Sequence, residues 1–187
     1  MRILSEVSCI KFVPYNPMKH QDFITIQGSQ PGCFSQVGRQ KGEQILNLQP
    51  HRIDRGCFRL YSIVHELMHT LGFLHMQSST NRDQFVEIKW DKIVDAFKPN
   101  FDKYGADLIS DFNVGYDYGS LTHYSPKAFS IDGSPTIISI GDLENTMMGQ
   151  RVRLSEKDIR KLNKMYCEQT DLEALLSLKS LRASKSG

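Results

Sequence analysis

Half of the six histidines fall within eleven residues, at His65, His69 and His75 of the stretch HELMHTLGFLH. On a helix, His65 and His69 lie one turn apart and within about 40° of the same face, so their imidazoles can share one metal ion. Zinc takes about four ligands, and a catalytic site leaves one position for water, so two helix histidines need a third protein ligand. If the helix continued, His75 would sit about 280° round the axis from His65 and face away. Gly72 removes that difficulty. A glycine takes the left-handed conformation that ends a helix, and the chain can double back to bring in His75. Glu66 projects about 100° from His65, toward the open position, where a carboxylate can take a proton from water. No cysteine lies close in the sequence to close the site with a fourth ligand. The expected centre is therefore an open site for one Zn2+, with His65, His69 and His75 as ligands and Glu66 as general base.

Several elements must position these residues. Ile63, Val64, Leu67, Met68 and Leu71 recur at three- and four-residue steps, which predicts a helix from about Phe58 to Leu71 with one buried face. Upstream, CIKFVPY and DFITIQ read as strands, and CFSQVGRQKGEQILNLQ reads as a hairpin or meander turning near Gly38 to Gly42. Residues 2–9 read as the end of a helix. WDKIVDAFKPNFDKY predicts a short helix broken before Pro99. From Gly105 to Gly149 the pattern is irregular and rich in Gly, Ser, Asp and Tyr, as functional loops are. SEKDIRKLNKMYC is a capped helix, with Ser155 as N-cap and Asp158 three residues on. Residues 169–187 read as a weakly helical or disordered tail. The order of elements is α+β.

The 187 residues suit one domain folded as two lobes. A formal charge of +2, with both signs interspersed, argues against nucleic acid or an anionic membrane as partner. No apolar run approaches the roughly 18 residues that span a bilayer. The N-terminus is interrupted by Glu6 and does not read as a signal peptide. Cysteines 9, 33, 57 and 167 are widely spaced and form no C-x-x-C pair, which fits two disulfides in an extracellular domain; three connectivities are open.

HExxHxxGxxH is the signature of the metzincin metalloproteases, and the continuation resembles the astacin family. HELMHTLGFLH followed by QSSTNRDQFVEI resembles that family's HExxHxxGFxHEQxRxDRDxYVxI, and YDYGSLTHYS its YDYxSxMHYxxxxF. MGQRVRLSEKDIRKLNKMYC resembles GQRxxLSxxDIxxxNxxYxC, and CIKFVPY an early CIxFxPR strand. The resemblance runs from about Ser5 to Cys167. It implies a two-lobed zinc endopeptidase over residues 1–168, with a twisted N-terminal sheet and two helices to about residue 73. An irregular C-terminal lobe with a late helix follows, and the active-site cleft lies between the lobes. It implies His65, His69 and His75 as zinc ligands and Glu66 as base. Tyr124 would ligate the resting zinc, then swing away to hydrogen-bond the developing oxyanion. The disulfides would be Cys9–Cys167 and Cys33–Cys57. The substrate would be a protein or peptide bound as an extended strand on a sheet edge near CFSQVGRQ. A secreted monomer is expected.

The chain also departs from the family pattern. Thr122 stands where the family has the methionine beneath the zinc, which predicts a looser site with weaker zinc retention. Met76 replaces a glutamate that in the family anchors the mature N-terminus. The pattern begins a few tens of residues earlier, with a helix and strand that have no counterpart here. Tyr61 and Ser62 replace Gly-Thr, and Ser79 and Asn81 replace an Arg and an Asp of the RxDRD run, leaving Arg82 and Asp83 as a surface ion pair worth little. His20, His51 and His123 read as surface or structural. These departures keep a second reading open, an astacin-like binding protein with weakened catalysis.

Overall fold

The computed structural model describes residues 1–141 and 147–168; the tail from 169 lies outside them. Its elements are helix α1 (Arg2–Val7), strands β1 (Phe23–Gln27), β2 (Cys33–Ser35) and β3 (Glu43–Leu48), and helix α2 (Leu60–Thr70). A short pair of strands follows, β4 (Val86–Ile88) and β5 (Ile137–Ser139), and then helix α3 (Glu156–Tyr166).

β3 is the central strand of the first sheet, whose order is β1-β3-β2. It pairs parallel to β1, with Phe23 opposite Glu43, and antiparallel to β2, with Cys33 opposite Leu48. Leu46 and Leu48 of β3 are buried against Val64, Leu67 and Met68 of α2. The three- and four-residue spacing of those helix residues is what turns them onto one face. Leu4 of α1 and Leu162 of α3 complete this core, together with Leu121 and Leu154. A second apolar cluster holds Met76, Val86, Ile88, Ile93, Phe101, Tyr116 and Ile137. The late helix thus packs into the same core as the early sheet, and Cys9–Cys167 ties the start of the chain to its end.

Three expectations change. CIKFVPY is not a strand: residues 10–16 carry no regular secondary structure. A strand exists by pairing, and β1, the nearest sheet edge, has only β3 as neighbour among the described residues. The stretch around Pro99 is not an α-helix broken before the proline. Two 3-10 turns, Trp90–Lys92 and Asp95–Phe101, occupy it, and the second runs through Pro99. Between them Ile93 bridges to Ser130, so contacts to a distant loop override local helix propensity. The long irregular stretch also contains β5, paired antiparallel to β4.

α3 begins as expected. The Ser155 hydroxyl accepts from the Asp158 N–H, and the Asp158 carboxylate accepts from the Ser155 N–H, a reciprocal capping box.

Candidate metal and catalytic site

α2 carries His65, Glu66 and His69, all buried. The helix ends in a Schellman motif. The Gly72 N–H donates to the His69 carbonyl (2.8 Å) and the Phe73 N–H to the Met68 carbonyl (3.0 Å). Gly72 has φ +91°, a conformation a side chain would strain. The turn brings His75 back, so that its Nε2 lies 3.2 Å from that of His69, which in turn lies 3.0 Å from that of His65. Among the described residues these three form the one cluster whose ligand atoms could hold a metal ion.

The donor set fits zinc. The Nδ1 of His65 is 2.8 Å from the Leu121 carbonyl and that of His69 is 2.6 Å from the Phe73 carbonyl. A carbonyl only accepts, so both Nδ1 carry the proton and both Nε2 present a lone pair. Two lone pairs facing each other at 3.0 Å repel unless a cation lies between them. Tetrahedral zinc with bonds of about 2.0–2.1 Å sets its nitrogens roughly 3.3 Å apart, close to the spacings found. Burial, and then the neighbouring imidazoles, push His65 and His75 down to about 2, and burial lowers His69 as well. All three are therefore neutral near pH 7, the form that ligates.

Burial pushes the Glu66 carboxyl up to about 7, opposed by the Arg151 guanidinium. The Tyr124 ring centroid is 4.3 Å from that of His75. Burial raises the Tyr124 phenol to about 12, with Arg151 again opposing, so it keeps its proton and can donate. Arg151 itself is half-buried and donates to the Gln150 carbonyl (2.8 Å). The sequence places it in a motif but gives it no role, although it is the cation that acts on both Glu66 and Tyr124.

Asp158 does more than cap a helix, the one role its sequence position suggests. Its Oδ2 also accepts from the Leu121 N–H (2.8 Å) and its Oδ1 from the Ser120 hydroxyl (2.7 Å). Asp158 thus fixes the residue whose carbonyl orients His65. Thr122, next along, is buried, and its hydroxyl finds a partner in Ser120 (3.1 Å). It helps wall a cavity of about 240 Å³ behind His75.

Arg82 and Asp83 are not a surface pair. The Arg82 guanidinium is buried and donates to the Gln77 carbonyl (2.9 Å), the Phe101 carbonyl (2.5 Å) and Asp83 (2.6 Å). It braces the segment that follows His75. His123 is structural: it is fully buried, its Nδ1 donates to the Tyr124 carbonyl, and its Nε2 accepts from the Tyr116 hydroxyl (2.7 Å). His51 is exposed, and His20 accepts from the Asn16 N–H; neither joins the cluster. Both disulfides named from the resemblance are present, Cys9–Cys167 and Cys33–Cys57.

The family model described as Astacin, a peptidase family, matches residues 1–167. The chain is 44% identical over 167 residues to Seminal metalloprotease 1 of Drosophila melanogaster, covering 88% of this chain and 66% of that protein. It is 40% identical over 159 residues to Zinc metalloproteinase nas-4 of Caenorhabditis elegans, covering 85% of this chain and 48% of that protein. The chain thus spans about half to two thirds of the length of these relatives. Its fold is similar to High choriolytic enzyme 1, a hatching enzyme zinc-protease of the medaka Oryzias latipes. The TM-score is 0.80 at 37% identity, over 89% of this chain and 78% of that one.

Proposed function

The chain belongs to the astacin family of peptidases, and from that premise we propose that it is a zinc-dependent endopeptidase. The observation that carries this reading is the convergence of three Nε2 atoms, two of them on a helix that also carries the buried Glu66 carboxylate. His65, His69 and His75 would hold one zinc ion per chain. Zinc, when bound there, supplies the positive charge that polarises a peptide carbonyl and acidifies water. Glu66 takes the proton of the attacking water and passes it to the leaving amine, and a carboxyl titrating near 7 is suited to both steps. Tyr124, whose ring lies against that of His75, would add its phenolic oxygen to the ligands of a resting zinc and would donate its proton to the developing oxyanion. Arg151 holds Glu66 toward its ionised form.

The substrate is a protein or peptide chain lying extended in a cleft between two lobes that meet near residue 73, although α3 packs with Leu121 and Leu154 into the core of the early sheet. It pairs with the outer edge of β2, which has no neighbour there among the described residues. The Ser35 hydroxyl at that edge is 2.7 Å from that of Thr70 in α2, which ties the edge to the helix that carries the site. Two disulfides favour an extracellular location. No helix among the described residues is long and apolar enough to cross a membrane. A monomer suffices, since every group named comes from one chain.

The test is zinc content and cleavage of a quenched peptide library by chain produced in an oxidising compartment. One zinc with cleavage supports the reading; one zinc without cleavage favours the second reading, a binding protein with weakened catalysis. Thr122 is the observation on that side, because it leaves open space behind a zinc ligand where the family has a thioether. Thr122→Met is accordingly expected to tighten zinc on the order of tenfold, the low end of what groups around a metal's ligands do. Competition with a chelator measures it, and equal affinities would remove the argument.

Asp158→Asn is expected to weaken zinc by about 10- to 100-fold. The amide keeps one acceptor for the helix cap but loses the charge and the second oxygen that hold Ser120, Leu121 and Ser155 together. An unchanged zinc affinity in a folded variant would show that the Leu121 carbonyl needs no such support.

A further inference from the structure

Lys161 lies on α3, 7% exposed, with its ammonium donating to the Met76 sulfur at 3.4 Å. A thioether is a weak acceptor, and no carboxylate pairs with this ammonium among the described residues. A buried cation is costly without an acceptor of full strength. The carboxylate one turn earlier on the helix does not serve. The Asp158 oxygens are turned to the Ser120 hydroxyl and to the N–H groups of Leu121 and Ser155, and neither forms an ion pair with Lys161. Asp117 is turned to the Gly119 N–H and the Ser155 hydroxyl and likewise forms no ion pair with Lys161.

Lys161 reaches two adjoining cavities. One, of about 240 Å³, has apolar walls from Phe73, Leu74, Leu108, Ile109 and Met165, and backs onto His75 and Thr122. The other, of about 340 Å³, shares Met76, Ser79, Ile109, Ser110 and Lys161 with it. One buried ammonium at the side of an apolar chamber is the complement of one negative charge on a short apolar body.

We propose that this cavity behind the zinc ligands is a binding site for a small free monocarboxylic acid, whose carboxylate pairs with Lys161 and whose apolar body packs against Phe73, Leu108 and Met165. Burial lowers the Lys161 ammonium from the usual lysine range, and Asp117, Asp158 and Asp111 act against that without cancelling it. Their own charge limits the ligand to a single negative group, which disfavours phosphates and diacids.

The experiment is calorimetric titration of the zinc-loaded full chain with hexanoate, beside hexanol and hexylammonium of matched length. Hexanoate is expected to bind one to one, with the alcohol and the amine at least tenfold weaker. Lys161→Met removes the cation and is expected to weaken hexanoate at least tenfold. Met76→Glu places a carboxylate beside the ammonium and is expected to do the same by satisfying it from within. Circular dichroism and zinc content check both variants, and if Lys161→Met does not fold, Met76→Glu decides. Unchanged affinity in the folded variants would put the acid elsewhere, the zinc included, and overturn the proposal; so would equal binding of hexanol, or no binding of hexanoate. The readout needs no peptide cleavage, so a chain that binds the acid without cleaving peptides counts only against the peptidase reading.

Discussion

Replacing Glu66 by glutamine is expected to lower kcat for the proposed peptide cleavage about a thousandfold, within the 10²–10⁴ range of a positioned general acid–base, and to leave one zinc per chain. The separation of the two effects follows from the helix. Glu66 is next to His65 in sequence but outside the triangle of Nε2 atoms, and the Leu121 and Phe73 carbonyls orient two of the three rings, His65 and His69, without it. Glutamine has the same length and a similar helix propensity, so α2 keeps its packing. What it cannot do is accept a proton. A thousandfold loss is about 4 kcal/mol of activation free energy, more than a packing change of one atom accounts for. The buried carboxylate also faces Arg151. The variant therefore leaves a half-buried guanidinium less compensated, and a small loss of stability accompanies the loss of rate. Zinc content by metal analysis and kcat on a peptide found by the library screen check both parts. Cleavage within tenfold of the parent would remove Glu66 from the proton transfers. Loss of zinc in parallel with rate would mean that Glu66 helps to build the site rather than working in it.

The core of this site was legible because its logic is local. His65, His69, Gly72 and His75 span eleven residues, and helix geometry alone says which way each points and why the glycine is needed; the Schellman hydrogen bonds at Gly72 and Phe73 are that argument in atoms. The capping box at Ser155 and Asp158 was legible for the same reason. What escaped reading depends on partners far away in the chain. Leu121 is 56 residues from the histidine it orients, and Asp158 is 37 from Leu121. Nothing in the spacing of SEKDIRK says that its cap residue faces a second backbone. Arg82 looks like half of a surface pair because Asp83 is its neighbour in sequence; its other two acceptors belong to Gln77 and Phe101, the latter 19 residues on. The error at CIKFVPY has the same root. Composition describes what a strand would be made of, whereas its existence requires a neighbouring strand. The disulfide pairing came from the resemblance alone, since four cysteines without partners in view leave every connectivity open.

Loss of the Cys9–Cys167 bond is expected to cost more stability than loss of Cys33–Cys57, and to loosen zinc as well. The first bond spans 158 positions and the second 24. In the chain-entropy account, closing loops of those lengths stabilises the fold by about 5 and about 3.5 kcal/mol respectively. A domain of this size has about 5–15 kcal/mol in all, so the longer bridge is a large share of it. Noncovalent contacts at the same junction keep the variant from unfolding outright. Leu4 of α1 is fully buried in the core, and the Asn163 side chain on α3 donates to the Val7 carbonyl (2.8 Å). The consequence for zinc follows from where α3 lies. Its N-terminal turn carries Asp158, which holds Leu121, whose carbonyl holds His65. An α3 that opens more often releases that chain of contacts, whereas Cys33–Cys57 joins β2 to the turn before α2, away from α3 in the chain. Urea unfolding of the Cys9→Ala, Cys167→Ala double variant beside Cys33→Ala, Cys57→Ala reads the order of stabilities. The rate of zinc transfer to a chelator, measured well below the unfolding transition, reads the coupling. Equal stability losses would show that the unfolded chain already holds its ends together. Faster zinc loss in both pairs alike would place the effect in general loosening of the fold and not in the path from α3 to His65.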